Sequence, residues 1–241
     1  MNLQKIEHEV SFDQLAGFDN YRQWIEPLVP LLESGDPLAP RGALLAGMPG
    51  TGKASCVLAT AKLIGRPVIR YHPKGTKVSA IISELPDEPI ILWLDEPDES
   101  CIELLRFLAL QPDIGDKVLV MTTTSKPHML PATFTGAAIF DRIWHLDLPD
   151  VSARAFLWDC LIGCVGGNPG KYDNVKLAQV SALFTPAEIE AVVRQAHAGV
   201  EKPPSEKKIL AEIVRKTPCA ALQDEETASV RYWARRTAES V

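Results

Sequence analysis

Ala43-Leu44-Leu45-Ala46-Gly47-Met48-Pro49-Gly50-Thr51-Gly52-Lys53-Ala54-Ser55 joins an apolar, strand-like run to a helix-forming segment, Ala54 to Ile64, through a turn with GxxxxGK spacing. A glycine-rich turn in that context aims backbone N–H groups at phosphate oxygens. The helix N-terminus adds partial positive charge, and the lysine reaches the β and γ phosphates. Pro49, Gly50, Thr51, Gly52, Lys53, Ala54 and Ser55 are therefore the candidate nucleotide-binding residues, for ATP or GTP. The place after the lysine is usually Ser or Thr, whose hydroxyl binds Mg²⁺, and here it is Ala54. Ser55 comes one residue later, turned by about 100° on a helix, and does not simply substitute. Nucleotide binding survives that loss more easily than hydrolysis. A plain tight turn is the alternative, and the strand before it and the helix after it argue against one.

Outward from the loop, β-rich apolar runs at Gly42 to Ala46, Pro67 to Tyr71, Ile90 to Leu94, Lys117 to Met121 and Ile143 to Leu146 alternate with helical patterns. That alternation predicts an α/β core, a parallel sheet with helices on both faces. Ile90 to Leu94 is apolar without alternation, as a central strand covered on both sides requires. It ends in Asp95-Glu96, giving ILWLDE, a Walker B pattern downstream of a P-loop. Ligands of open α/β sheets bind at that strand end. Asp95 is the candidate Mg²⁺ ligand, and Glu96 the group that polarises the attacking water. An acidic loop that caps the next helix is the plainer reading of the same residues, since Asp98 and Glu99 follow. After Pro149 the periodicity is helical, which divides the chain into a nucleotide-binding α/β core over 1–149 and a small all-helical lid over 150–241. Thr185, Pro186 and Glu188 spell a capping box at one helix start.

With 241 residues, 46% hydrophobic and 23% charged, the chain has enough material for one core and a small second lobe. A net charge of −6 argues against bulk electrostatic binding of nucleic acid. The basic residues after Glu201 are nearly balanced by acids and read as a solvated surface. No apolar run approaches the roughly 18 residues of a membrane span, and the start MNLQKIEHEV has no signal-peptide pattern, so no membrane insertion and a cytoplasmic location are expected. Five cysteines without CxxC pairing indicate neither a disulfide framework nor a zinc site and read as buried thiols.

Taken together, these stretches resemble the AAA+ ATPases, and within them the FtsH-like modules and the AAA proteins of cyanobacteria and plastids. VSFDQLAGFDNYRQWIEPL, from Val10, looks like the opening segment of such modules, which places Ala16 and Gly17 beside the adenine. APRGALLAGMPGTGK is similar to the first strand and P-loop, FDRIWHLDLPD to the last sheet strand and the exit into the lid, and FTPAEIEAVVRQA to the lid helix that faces the nucleotide. The ending from Ala221 is similar to the C-terminus of the plastid-type group, which implies a complete lid without that group's large N-terminal region. ATP and Mg²⁺ are the cofactors the resemblance implies. The implied partners are further copies of the chain or another AAA+ subunit, together with an unidentified protein client.

The departures from this pattern fall on hydrolysis and force transmission. No arginine precedes Phe140-Asp141 where the family's arginine fingers stand, since that stretch is Gly136 to Ile139, and neither Arg142 nor Arg154 aligns as a finger. Such a finger supplies a factor of about 10³ to 10⁵ in other phosphoryl-transfer systems. Ser125 or Thr124 stands nearest the sensor-one asparagine, and Ser125 is the candidate to orient water. Between Tyr71 and the Walker B strand, His72 to Pro89 holds no aromatic to grip a threaded polypeptide, and Lys74 and Lys77 read as loop charges. Trp24, Trp93, Trp144, Trp158 and Trp233 are expected to pack cores, without chemistry. Three readings stay open. The chain is a compact ATPase with weak or partner-dependent hydrolysis, an ATP-binding pseudo-ATPase that serves as a scaffold, or an accessory protein of DNA replication or transposition.

Overall fold

The computed structural model describes residues 3–7, 10–71, 78–111, 117–135, 140–199 and 201–241. Its framework is a seven-stranded sheet: β1 (Leu3–Ile6), β2 (Gly42–Gly47), β3 (Val68–Tyr71), β4 (Ile90–Asp95), β5 (Val118–Thr124), β6 (Arg142–Leu146) and β7 (Glu239–Ser240), in the spatial order β1-β3-β4-β5-β2-β6-β7. All neighbours run parallel except β1, which pairs antiparallel with β3 at one edge. The five strands read from the sequence are therefore all present. The two short edge strands, β1 and β7, were not expected, because a strand of two to four residues with exposed polar side chains carries no periodic signal.

The central strands show why the parallel arrangement forms. Every residue of β2 and β5 is buried, as are Ile90 to Leu94 of β4, so both faces must be covered. One face is covered by α3 (Lys53–Ile64) and by the aromatic segment Phe12, Phe18 and Tyr21, which pack with Val57, Leu45, Trp93 and Trp144. The other takes α4 (Val78–Glu84), α5 (Ser100–Leu110) and the short α6 (Ala132–Thr135), whose Phe134 is fully buried. Two further helices, α1 (Asp19–Ile25) and α2 (Val29–Ser34), carry the chain into β2. Strand β5 lies between the P-loop strand β2 and the Walker B strand β4. Its register, Ala46 opposite Thr124 and Asp95 opposite Thr123, brings three strand ends to one level.

Beyond Pro149 the chain is helical: α7 (Val151–Cys164), α8 (Asn174–Val180), α9 (Pro186–His197), α10 (Glu206–Arg215), α11 (Cys219–Leu222) and α12 (Asp224–Thr237). Trp158, Ile162, Leu177, Phe184, Ile189 and Ile209 give α7 to α10 an apolar core of their own. The capping box at α9 is formed: Thr185 N–H donates to Glu188 Oε2 at 2.9 Å, and Glu188 N–H donates to Thr185 Oγ1 at 3.3 Å. Helix α12 returns to the α/β core. Trp233 packs against the α5 side of the sheet, Arg231 forms a forked pair with Asp147 at 2.8 to 3.0 Å, and β7 adds to β6. The segment after Asp150 therefore has two parts, a lid bundle and a strap that goes back to the sheet. Cys56 and Cys101 are the buried thiols, Cys160 and Cys219 are half-buried, and Cys164 is exposed, so burial holds for only two of the five. No helix among the described residues is long and apolar enough to cross a membrane.

Candidate functional site

The turn from β2 into α3 is shaped by its glycines. Gly50 and Gly52 have φ of 82° and 101°, in the region that disfavours a side chain. A Cβ on Gly47 would lie 2.2 Å from the carbonyl oxygen of Leu146, so only glycine lets β6 approach there. Gly50 carries the link to the lid: its carbonyl accepts the N–H of Ala187, in the first turn of α9, at 3.2 Å. A side chain at Gly50 would meet Thr185 Oγ1 at 2.9 Å.

Lys53 is only 8% exposed. Its Nζ donates to the carbonyls of Gly47 at 2.6 Å and Met48 at 2.9 Å and to Ser125 Oγ at 3.1 Å. Burial lowers its pKa to about 8, against the attraction of Glu96 and Asp95, which acts upward. Ser125, just past the end of β5, in turn donates its Oγ–H to Glu96 Oε1 at 2.6 Å and its backbone N–H to both Glu96 oxygens at 2.8 and 2.9 Å. Thr124 Oγ1 donates to Glu96 Oε2 at 3.3 Å. Glu96 itself has φ of 48°, a left-handed conformation that costs a non-glycine residue about 1–2 kcal/mol. Its N–H bond to Thr123 at 2.8 Å and the Ser125 contacts hold it there. Lys53, Ser125 and Glu96, distant in sequence, thus form one hydrogen-bonded chain.

Asp95 is engaged differently. One oxygen pairs with the guanidinium of Arg70 from β3, and Oδ1 accepts the hydroxyl of Thr123 at 2.7 Å. Thr123 Oγ1 also accepts Trp93 Nε1–H at 2.8 Å, and the Arg70 guanidinium sits 4.7 Å over the Trp93 ring. Arg70, Trp93 and Thr123 were not singled out from the sequence, and Trp93 was expected only to pack. The available signal was the polar residue in the apolar strand Val68–Tyr71, next to the Walker B strand in register with Trp93.

These groups line one cavity of about 580 Å³, walled by Pro49, Gly50, Gly52, Lys53, Ala54 and Ser55 on one side and by Arg70, Trp93, Asp95, Glu96, Thr123 and Ser125 on the other, with Leu157, Pro186 and Glu190 of the helical part above. A second cavity of about 210 Å³ sits beyond Thr51 and is lined by Ala16, Gly17, Phe18, Leu148, Pro149, Ala153 and Pro186. Pro186 borders both. The expected adenine-side pair, Ala16 and Gly17, therefore lies across the P-loop from the phosphate-side residues.

The donor set around Asp95 is poor in Mg²⁺ ligands. Ala54 has no hydroxyl, Ser55 reaches the cavity wall without a hydrogen bond to Asp95, and Asp95 already carries a guanidinium counter-charge. As arranged, these residues do not fit a Mg²⁺ ion beside Asp95. The expected arginine-finger stretch, Gly136 to Ile139, and the loop containing His72, Lys74 and Lys77 lie outside the described residues. The adjoining Asp141 accepts the N–H groups of Arg41 and Gly42 at 2.7 and 3.0 Å and so fixes the start of β2. Arg154, buried in the lid, donates to the carbonyls of Ala178 and Pro149 at 2.8 and 2.5 Å, a structural duty.

A glycine loop between strand and helix, a lysine folded over it and paired acids on a strand two places away define a P-loop nucleoside-triphosphatase core with a helical C-terminal part. The particular family follows from comparison. Residues 43–148 match the AAA family, described as ATPase family associated with various cellular activities. The uncharacterized AAA domain-containing protein ycf46 of Trieres chinensis is 25% identical over 254 residues, covering 91% of this chain and 51% of that protein. The ATP-dependent zinc metalloprotease FtsH of Hahella chejuensis is 28% identical over 228 residues, 78% of this chain and 36% of its own length. The crystal structure of the FIGL-1 AAA domain superposes with a TM-score of 0.76 at 16% identity, covering 98% of this chain and 92% of that one, a likeness of fold. The matched segment and these relatives support an AAA+ ATPase of the FtsH-like type, a family that binds ATP and typically uses Mg²⁺. It spans about half the length of the ycf46 proteins it matches.

Proposed function

We propose that this chain binds ATP with its phosphates over Pro49 to Ser55 and its adenine beside Ala16 and Gly17, and hydrolyses it weakly or only with a partner's help. The observation that carries the reading is the Lys53–Ser125–Glu96 chain, which sets a cation, a hydroxyl and a carboxylate at one end of the phosphate cavity. In this reading Lys53 holds the β and γ phosphates, Glu96 orients the attacking water, and Ser125 positions Glu96. Glu96 now spends both oxygens on Ser125 and Thr124, so water activation requires it to exchange at least one of those bonds. The division into a core over 1–149 and a helical part over 150–241 belongs to this reading, as does assembly with further copies or another AAA+ subunit.

A second reading, an ATP-ordered scaffold without turnover, is favoured by one feature: Ala54 and the Arg70–Asp95 pair leave the metal corner without its usual ligands. The bond from Ala187 to Gly50 joins lid to P-loop, so a bound nucleotide has a direct path to lid position. Steady-state phosphate release by the wild type and Glu96→Gln separates the two. Turnover in the wild type that is lost in Glu96→Gln supports the ATPase. No turnover in either, with ATP still bound, supports the scaffold.

A further inference from the structure

Arg70 lies at the carboxyl end of β3, on the wall of the phosphate cavity that faces Pro49, Gly50 and Lys53. Its guanidinium carbon lies 4.7 Å over the Trp93 ring, and one of its nitrogens is anchored to Asp95. Its Nε is buried and has no hydrogen-bond partner among the described residues. With one nitrogen on Asp95 and the side chain 30% exposed at the cavity wall, the guanidinium has N–H groups beyond that ion pair to offer an acceptor. Ala54, the place that lacks a hydroxyl for Mg²⁺, lines the same cavity.

We propose that the Arg70 guanidinium is the cation that meets the ATP phosphates in place of Mg²⁺, so that this chain binds ATP without a divalent metal. The proposal rests on the ATP reading of the cavity. Guanidinium stays charged at every working pH, and its planar fork suits phosphate oxygens. Trp93 covers one side of that fork, and Asp95 holds one edge while the remaining N–H groups serve the ligand. Arg70 on one Asp95 oxygen and the Thr123 hydroxyl on the other already engage both lone-pair-bearing atoms a Mg²⁺ ion would need. A purely structural Arg70, one that only pins β3 to β4, predicts a different outcome, since its loss would lower stability without altering metal dependence.

Calorimetric titration of the full chain with ATP, once in EDTA and once in excess Mg²⁺, tests this for the wild type, Arg70→Met, Arg70→Lys and Lys53→Ala, with thermal melts to verify folding. The wild type is expected to bind within about threefold of the same affinity in both buffers, and Arg70→Met to bind on the order of tenfold weaker in EDTA. Mg²⁺ should restore much of the loss in Arg70→Met, because Asp95 is then released. Arg70→Lys, which keeps charge but not the fork, should fall between. Wild-type affinity that drops about tenfold or more in EDTA, or Arg70→Met that matches the wild type in EDTA, overturns the proposal. If Arg70→Met does not fold, the wild-type comparison and Arg70→Lys decide. Equal binding by wild type and Lys53→Ala, or no wild-type binding in either buffer, overturns the underlying ATP site instead, and the Arg70 proposal with it.

Discussion

On the Lys53 side of the cavity, lysine, hydroxyl and carboxylate are tied to one another. Lys53 holds Ser125, Ser125 holds Glu96, and the glycine turn holds the lid through Ala187. On the Asp95 side, the acid is bound to an arginine of the chain itself, over an indole, in a cavity also lined by Ala54. In the proposed reading one half grips the triphosphate and the other lacks the usual metal ligands. In that reading, gripping and hydrolysing nucleotide rest on different sides of the cavity and are separable by mutation.

The strongest way to break the comparison is at Glu96. Glu96→Gln should lower any turnover by about 10² or more, the usual share of a positioned general base, while ATP affinity stays within about threefold. Phosphate release and calorimetry on the same samples check both halves of that statement. An unchanged rate would place water activation elsewhere.

Restoring the metal corner comes next. Ala54→Thr combined with Arg70→Met supplies a hydroxyl and frees Asp95, and should raise Mg²⁺-dependent turnover by about tenfold. Ala54→Thr alone should gain less, because Asp95 remains paired. Equal gains from the single and double variants would show that the guanidinium is no obstacle.

The Lys53 side has a pH signature. Burial holds Lys53 at about 8, and phosphate favours its charged form. Affinity for ATP should therefore be flat below about pH 8 and weaken as pH rises above it, by at most about tenfold per unit, until the bound form also loses its proton. Titrations between pH 6.5 and 9.5, values chosen to bracket about 8, read this directly. Affinity that climbs with pH would contradict a lysine–phosphate contact. The smallest effect belongs to the lid: Gly50→Ala, strained by its φ and by Thr185, should cost about 1–3 kcal/mol of stability in a thermal or urea melt.

Most of the Lys53 side was legible in the sequence because each element has a periodic or spaced signature. The β2 run, the glycine spacing and the capping box at Thr185 are local patterns, and they form as read. The Asp95 side was legible only in part. Asp95 and Glu96 stand where the strand pattern places them, but the Arg70 contact depends on β3 lying beside β4 in a particular register, and the lone arginine in VIRY does not by itself name its partner. Edge strands β1 and β7 escaped for a similar reason. Their few polar residues take their conformation from the strands they meet. The return of α12 to the sheet rests on Trp233, Thr227 and Arg231, single contacts on a helix whose exposed face reads like that of any lid.

The central claim is that this cavity grips ATP through Lys53, and the most direct measurement is ATP affinity of the wild type beside Lys53→Ala. The account predicts measurable binding by the wild type and a loss on the order of 100-fold or more in the variant, as for removal of a charged partner from a phosphate contact. Affinity retained in a folded Lys53→Ala would contradict it.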